Sequence, residues 1–276
     1  MEALPPRHTQ ILAQARQDGR VQVDALAAAF DVSVQTIRKD LNDLCDRKLL
    51  QRVHGGALYP SGASNLAYHS RRSLAADEKQ RIGERAASLI PDNSSVILNI
   101  GTTTEQVALA MRQHRGIMAV TNNINVANIL RGVEGTEVII AGGIVRPSDG
   151  GIVGESAVEF MRQFRVDYAV IGASAIDADG AILDYDYREV RVSQEIIRQA
   201  RKTILVADRM KFGRSAPVQI AQLSEIDIFV TDRPLPDSLA DICRLNGIQV
   251  ETCFDADEGL EETDDPLEVG VGDGSV

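Results

Sequence analysis

No apolar stretch in this sequence approaches the ~20 residues needed to cross a bilayer, which excludes a membrane-spanning helix. Cysteine is scarce. Cys45, Cys243 and Cys253 are odd in number and too far apart for a CxxC pair, so neither a disulfide framework nor a zinc site is expected. They read as reduced thiols of a cytoplasmic protein. The first residues, MEALPPRHTQ, lack the basic-then-apolar pattern of a secretory signal. An excess of positive charge is missing too: the formal net charge is −11.

The acidity is concentrated at one end. Residues 255–276 hold nine Asp or Glu and no Lys or Arg, leaving −2 for the remainder, and residues 1–60 balance eight Lys or Arg against seven Asp or Glu. The tail, DADEGLEETDDPLEVGVGDGSV, has few large apolar residues and reads as a disordered, solvated segment. With 276 residues, 44% of them hydrophobic, the chain has room for one small and one medium domain.

Three helical patterns crowd the first sixty residues. The first, about Arg7 to Gln17, carries Ile11, Leu12 and Ala15 on one side and stops at Asp18-Gly19. After Val21-Gln22-Val23, Asp24 is placed to cap a second helix bearing Leu26 and Phe30. Asp31-Val32 makes a turn, and Ser33 is placed to cap a third helix with Ile37, Leu41 and Leu44 toward the core. Gln35, Arg38, Lys39 and Asn42 then fall away from the apolar stripe. Arg and Lys neutralise phosphates or read guanine, and Gln and Asn pair with adenine edges. Ser33 and Thr36 sit at the helix start, the part that enters the major groove in helix-turn-helix proteins. The plainer alternative is a three-helix element with a solvated polar face. Against it stands the run from Leu49 to Tyr59, two alternating strands around Gly55-Gly56, which reads as the hairpin wing of a winged helix with Arg52 and His54 near its tip.

These joined motifs, Arg7 through Ile11, SVQTIRKDL from Ser33 to Leu41, and His54-Gly55-Gly56-Ala57, resemble the DNA-binding half of the DeoR family of repressors. The resemblance implies that the third helix is the recognition helix and that the partner is double-stranded operator DNA. Ser33, Gln35, Thr36, Arg38, Lys39, Asn42, Arg52 and His54 are the candidate DNA contacts. The winged helix-turn-helix is assigned to residues 1–59. With DNA as partner, the acidic tail has a sharper alternative role, as a competitor for the basic face.

Residues 60–77 are rich in Ser and Ala and read as a linker with an exposed basic pair, Arg71-Arg72. Asp77 is placed to cap a helix running to Ile90. Beyond it, apolar strands alternate with helical patterns, which predicts an α/β domain over 78–254 with a largely parallel sheet. The strands are read at 95–100, 117–121, 136–141, 168–171, 203–207, 226–231 and 248–252. Ligands of open α/β sheets bind beyond the carboxyl ends of the strands. Three polar loops lie there: Gly101-Thr102-Thr103-Thr104, opening a helix whose N–H groups suit a phosphate, Thr121-Asn122-Asn123, and Gly142-Gly143. Each alone is ordinary turn chemistry; three at successive strand ends point to a ligand site. Lys211, in DRMKFG after another strand, supplies a point charge for a phosphate or is a surface lysine beside a turn. Asp184, Asp186, Arg188 and Glu189 bind ligand hydroxyls or simply cap and solvate a helix.

Here too the DeoR family is resembled, through GTTT, VTNN, AGG, GGIVGE, DYDYREVR and the D-x-x-K-F-G run, so that the likeness spans nearly all of residues 1–254. It implies a sensor domain similar in fold to ribose-phosphate isomerases and CoA transferases. The implied effector is a small sugar phosphate, with glycerol-3-phosphate indicated by VTNNINVAN, GGIVRPSDGGIVGE and LDYDYREVR. Its site draws on Gly101, Thr102, Thr103, Thr104, Thr121, Asn122, Gly142, Gly143, Asp184 and Lys211. A homo-oligomer is expected, and neither cofactor nor metal. An isomerase is the enzymatic alternative, with Glu189 as its base. In those enzymes an acid follows the Gly-Ala of a strand end, whereas here Gly172-Ala173 precedes Ser174. A sensorless DNA-binding scaffold is the third possibility, against which the strand-end loops argue.

Overall fold

The computed structural model describes residues 4–17, 20–47, 49–53, 55–58, 68–73 and 75–253. His54, residues 60–67 and 74 of the stretch read as a linker, and the acidic tail with the role suggested for it lie outside them.

Helices α1 (Pro6–Gln17), α2 (Val23–Ala29) and α3 (Val34–Asp46) enclose a core of Ile11, Ala15, Leu26, Ile37, Leu41 and Leu44, all fully buried. Each such aliphatic side chain contributes roughly 1.5–3 kcal/mol. Ser33 caps α3 as the sequence predicts, its Oγ accepting from Thr36 N at 3.1 Å. Asp24 does not cap α2. The helix starts two residues earlier than read, with Gln22 as its cap residue and Asp24 inside the first turn, where its charge favours the helix dipole instead. The wing is larger than the hairpin read from sequence. Strand β1 (Arg20–Gln22) joins β2 (Gln51–Val53) and β3 (Gly56–Leu58) in an antiparallel sheet ordered β1-β3-β2. That pairing explains Gly56: a Cβ there would lie 2.0 Å from the Val21 carbonyl oxygen, so only glycine lets β1 approach.

The stretch read as a linker contains helix α4 (Tyr68–Ser73). Helix α5 (Ala76–Ser88) follows, and its cap residue is Ala75, in the left-handed region at φ 52°, ψ 45°. Asp77 is a first-turn residue of α5, not its cap.

The rest is a three-layer α/β domain. Strands β4 (Ser95–Leu98), β5 (Met118–Thr121) and β6 (Glu137–Ile140) alternate with α6 (Thr102–Ala110) and α7 (Ile124–Leu130). A short hairpin, β7 (Ile144–Val145) and β8 (Ile152–Val153), leads to α8 (Glu155–Met161) and β9 (Val166–Ile171). Strands β10 (Ala175–Ile176) and β11 (Ala181–Asp184) precede α9 (Tyr187–Gln199) and β12 (Ala200–Val206). Strands β13 (Val218–Gln222) and β14 (Ile228–Thr231), helix α10 (Asp237–Asn246) and β15 (Gln249–Thr252) complete it. Seven strands form one parallel sheet in the order β15-β14-β12-β9-β4-β5-β6, and these are the seven read from sequence. Strands β10, β11 and β13 form a separate antiparallel sheet.

Burial on both faces is why the parallel strands read as apolar runs. Val96, Leu98, Val170, Ile204, Val206, Ile228 and Val230 pack on one side with α5, α6 and α7. Ile97, Ala169, Ile171, Leu205 and Phe229 point the other way, to α8, α9 and α10. The strands all run in one direction, so their carboxyl ends and the loops that follow them lie along one edge of the sheet. Among the described residues, no helix is long and apolar enough to cross a membrane.

Candidate functional site

On the reading head, α3 separates its roles by face. Ser33, Gln35, Arg38, Lys39 and Asn42 are exposed and Thr36 is half-buried, while Ile37, Leu41 and Leu44 are sealed in the core. Arg52 on β2 is exposed as well, whereas His54 is outside the described residues. What sequence reasoning missed is Asp40, in the same TIRKDL run. Its carboxylate is buried and accepts from Arg7 Nε at 2.6 Å, Arg7 Nη2 at 3.2 Å and His8 Nε2 at 3.1 Å. Burial alone would raise its pKa, but the hydrogen bonds from Arg7 and His8 win and hold it below the usual carboxylate range. Asp40 therefore fastens α3 to α1 from below and leaves the outward face of α3 in solvent.

In the sensor domain, loops from adjacent strands converge over the centre of the sheet. Gly172, at the end of β9, is the floor between them. A Cβ there would lie 3.9 Å from the carbonyl oxygens of both Ile100 and Val206 and 4.0 Å from Thr104 Cγ2. On one side, Gly101 begins α6 at φ 154°, and the N–H groups of Thr102, Thr103 and Thr104 have no acceptor within the helix. Thr102 and Thr103 are buried here. Thr104 does not offer its hydroxyl proton outward as the cradle reading supposed: its Oγ1 lies 2.7 Å from Gly101 O and 2.9 Å from Asn99 O. Thr121 is likewise internal, donating to Leu98 O at 2.6 Å and accepting from Asn123 N at 3.0 Å. Asn122 donates to Ile152 O at 3.2 Å, and its Oδ1 is buried without a partner.

On the other side of Gly172, the loop after β12 carries Asp208 and Lys211. Asp208 is buried and caps the turn through Met210 N at 2.9 Å. Lys211 is half-buried, and burial lowers its pKa to about 7. Asp208 opposes that shift, while Lys79, Arg214 and Arg71 reinforce it. Lys79, on α5 and only 3% exposed, is also pushed down by burial, against the pull of Asp208. Its Nζ donates to the Arg71 carbonyl. A concentration of cations that depress one another is a site suited to an anion.

Two further parts of the site were not legible in the sequence. The first is Arg146 with its ring of acids. Its guanidinium holds Asp149 through Nε at 2.9 Å and Nη2 at 2.7 Å, Asp186 at 3.1 Å and Glu189 at 2.5 Å. Burial, with Asp184 adding to it, pushes Glu189 up to about 8 against the pull of Arg146. Asp186 caps α9 through Arg188 N at 3.0 Å, and Arg188 with Arg146 holds it at about 2, so for this residue the capping alternative holds. Asp184 is buried and accepts from Ser174 Oγ at 3.0 Å. The second is α4. Tyr68 donates to Glu105 Oε2 at 2.7 Å, and Asn125 Nδ2 donates to Glu105 Oε1 at 2.9 Å and approaches Tyr68 Oη at 3.1 Å. Arg71, read from sequence as an exposed partner of Arg72, is half-buried and donates to Asp149 Oδ2 at 3.2 Å. Gly142 and Gly143 stay exposed beyond the edge strand β6, where Gly143 opens the β7–β8 hairpin against Ile152. The hairpin brings Arg146 and Asp149 to the site instead of the glycines. A groove of about 300 Å³ between α9 and β13, lined by Gln194, Ile197 and Gln219 among others, lies elsewhere. Among the described residues there is no cluster of His, Cys, Asp or Glu able to hold a metal ion.

A winged helix followed by an α/β sensor domain defines a DNA-binding regulator that reads a small ligand. Residues 7–62 match the DeoR-like helix-turn-helix domain and residues 74–233 the DeoR C terminal sensor domain, and the chain belongs to the DeoR family. It is 43% identical over 247 residues to the glycerol-3-phosphate regulon repressor of Escherichia coli K12, covering 90% of this chain and 98% of that one. With the protein of the same description from Haemophilus influenzae it shares 46% identity over 229 residues, 83% of this chain and 89% of the other. Among solved structures, ribose 5 phosphate isomerase A from Neisseria gonorrhoeae superposes with a TM-score of 0.37 at 13% identity, over 52% of this chain and 55% of its own.

Proposed function

We propose that this chain is a cytoplasmic transcriptional repressor that binds double-stranded operator DNA through α3 and the wing and releases it when a small phosphorylated metabolite, glycerol-3-phosphate foremost, occupies the sensor domain. The observation that carries this reading is the meeting of a helix start with partly uncompensated cations. The N–H groups of Thr102 and Thr103 open α6 on one side of Gly172, and Lys211 stands on the other. A phosphate dianion satisfies both at once. The similarity to two glycerol-3-phosphate regulon repressors supports glycerol-3-phosphate as that ligand. Asp184, buried beside Ser174, is the group suited to a ligand hydroxyl.

The reading excludes catalysis. An aldose–ketose isomerisation needs a free carboxylate near the reacting carbons. Here Glu189 is engaged by Arg146, and the position after Gly172-Ala173 is a serine that donates to Asp184. The reading also includes a homo-oligomer, because one winged helix reads one half-site and operator affinity is built from paired heads. Release requires that the ligand bind the DNA-free arrangement more tightly than the DNA-bound one.

Thermal unfolding of the purified protein with a panel of phosphorylated metabolites tests this, run beside operator binding followed by fluorescence anisotropy. A ligand at a hundredfold excess over its Kd stabilises by about 2.7 kcal/mol. Glycerol-3-phosphate is expected to raise the melting temperature and displace the operator, and Lys211→Met to remove both effects. Stabilisation by a different sugar phosphate discards glycerol-3-phosphate alone. Turnover of any of these compounds, or no stabilisation by any, discards the sensor reading.

A further inference from the structure

Two described α4 side chains, Tyr68 and Arg71, tie this helix to parts of the α/β domain that border the candidate site. Tyr68 bonds Glu105, which lies in the first turn of α6 next to Thr104. Arg71, three residues on and therefore on the same side of α4 one turn later, reaches Asp149 at the tip of the β7–β8 hairpin. Asp149 has other donors besides Arg71. That carboxylate already accepts two hydrogen bonds from Arg146 and one from Gly151 N at 3.2 Å. Arg71 thus fills the remaining lone pair of that carboxylate through Nη2, while its Nε is buried with no hydrogen-bond partner. Buried donors left unpaired are costly and call for an acceptor. Around Arg71 the surplus is again positive: Lys79 donates to its carbonyl, and its charge acts on Lys211.

We propose that Arg71, on the helix that leads out of the DNA-reading head, is itself a ligand of the effector's phosphate, so that filling the sensor site and docking α4 onto it are one event. This rests on the sensor reading above and adds to it how the ligand is felt by the head. The phosphate oxygens provide the acceptor that Arg71 Nε lacks. The anion then bridges three segments: α4 through Arg71, the start of α6 through its N–H groups, and the loop after β12 through Lys211. The position of α4 depends on occupancy because one of its anchors is shared with the ligand.

The test is calorimetric titration of the full-length chain with glycerol-3-phosphate, combined with ³¹P NMR of the bound ligand across pH. Free phosphate monoesters have a second pKa of about 6, and a guanidinium in contact lowers it. A charge-assisted hydrogen bond is worth a factor of about 10 to 100 in affinity. Arg71→Gln is therefore expected to weaken binding by about that factor and to raise the pKa of the bound phosphate relative to wild type. Arg72→Gln, next to it and exposed, is expected to do neither. Arg71→Lys keeps the charge but not the fork, is expected to fall between, and decides the question if Arg71→Gln fails to fold. Unchanged affinity in Arg71→Gln overturns the proposal and leaves the sensor reading standing. So does weaker binding with no movement of the phosphate pKa, which marks a residue that only props the hairpin through Asp149. Failure of the wild-type chain to bind glycerol-3-phosphate, inorganic phosphate or any other phosphorylated probe overturns both readings together.

Discussion

In the reading head the polar residues assigned to a partner stand in solvent on one face of α3, and the only buried acid in that helix, Asp40, is spent on fastening it to α1. In the sensor domain the order is reversed. Lys79, Asp149, Asp184, Asp208 and Glu189 are buried, and their ionisation is coupled to that of neighbouring groups. The difference fits the partners proposed for the two regions. DNA brings its own charged surface to a protein that need only present side chains, whereas a small anion must be drawn out of water into a place where the field already favours it. A surface array costs its domain little stability. A buried one is held only while every member has a partner.

That contrast is open to direct attack, and the largest effect is expected at its most buried point. Arg146→Met leaves Asp149, Asp186 and Glu189 without their shared cation, and is expected to cost about 3–5 kcal/mol in urea unfolding of the sensor domain. Leu41→Ala is expected to cost the head about 2–5 kcal/mol. It should abolish operator binding while glycerol-3-phosphate still stabilises the sensor domain in differential scanning calorimetry. Arg38→Ala is expected to weaken operator binding by about 1–3 kcal/mol if it reads a base, or to lower the slope of affinity against salt by about one unit if it meets a phosphate. An operator affinity unmoved at every salt concentration sinks its assignment to DNA.

Proton linkage separates the two regions further. A lysine whose folded pKa is depressed to about 7 is neutral in much of the ligand-free protein at pH 8, and an adjacent phosphate dianion draws a proton back onto it. Glycerol-3-phosphate binding at pH 8 is therefore expected to take up part of a proton, and to weaken as pH rises beyond 7. Calorimetry in buffers of different ionisation enthalpy measures the uptake, and Lys211→Met should remove its share. By the same sign argument, Lys211 lowers the stability of the ligand-free protein at pH 7, and that loss fades as pH climbs toward 10. The smallest effect is expected for Glu189→Gln. A carboxyl raised to about 8 already carries a proton at pH 7, so the substitution should cost less than about 1 kcal/mol there.

The sequence made the scaffold readable to different depths in different places. The parallel strands were legible because both faces are buried and each appears as an apolar run with glycine or polar residues after it. Strands β7, β8 and β10 are two residues long, too short for any period, and β13, VQIAQ, alternates too weakly to stand out. Helix α4 was missed because six residues rich in serine and arginine have little helix signal, and its contacts come from elsewhere in the chain. The strand-end loops were in place, but their chemistry was not visible. Arg71 meets Asp149 across 78 residues and Tyr68 meets Glu105 across 37, and no local spacing announces either pair. The one local sign was Arg146 and Asp149, three apart in a loop of proline and glycine, passed over in favour of the glycines beside it.

Ala75 gives the linker a mechanical character. An alanine held in the left-handed region is under strain of about 1–2 kcal/mol, which a glycine in the same place would scarcely feel. The joint between α4 and α5 is therefore bent against its own backbone and stays bent because side chains pull on it: Tyr68 on Glu105, Arg71 on Asp149, Lys79 on the Arg71 carbonyl. Ala75 is where the backbone carries part of the cost of placing α4 against the α/β domain.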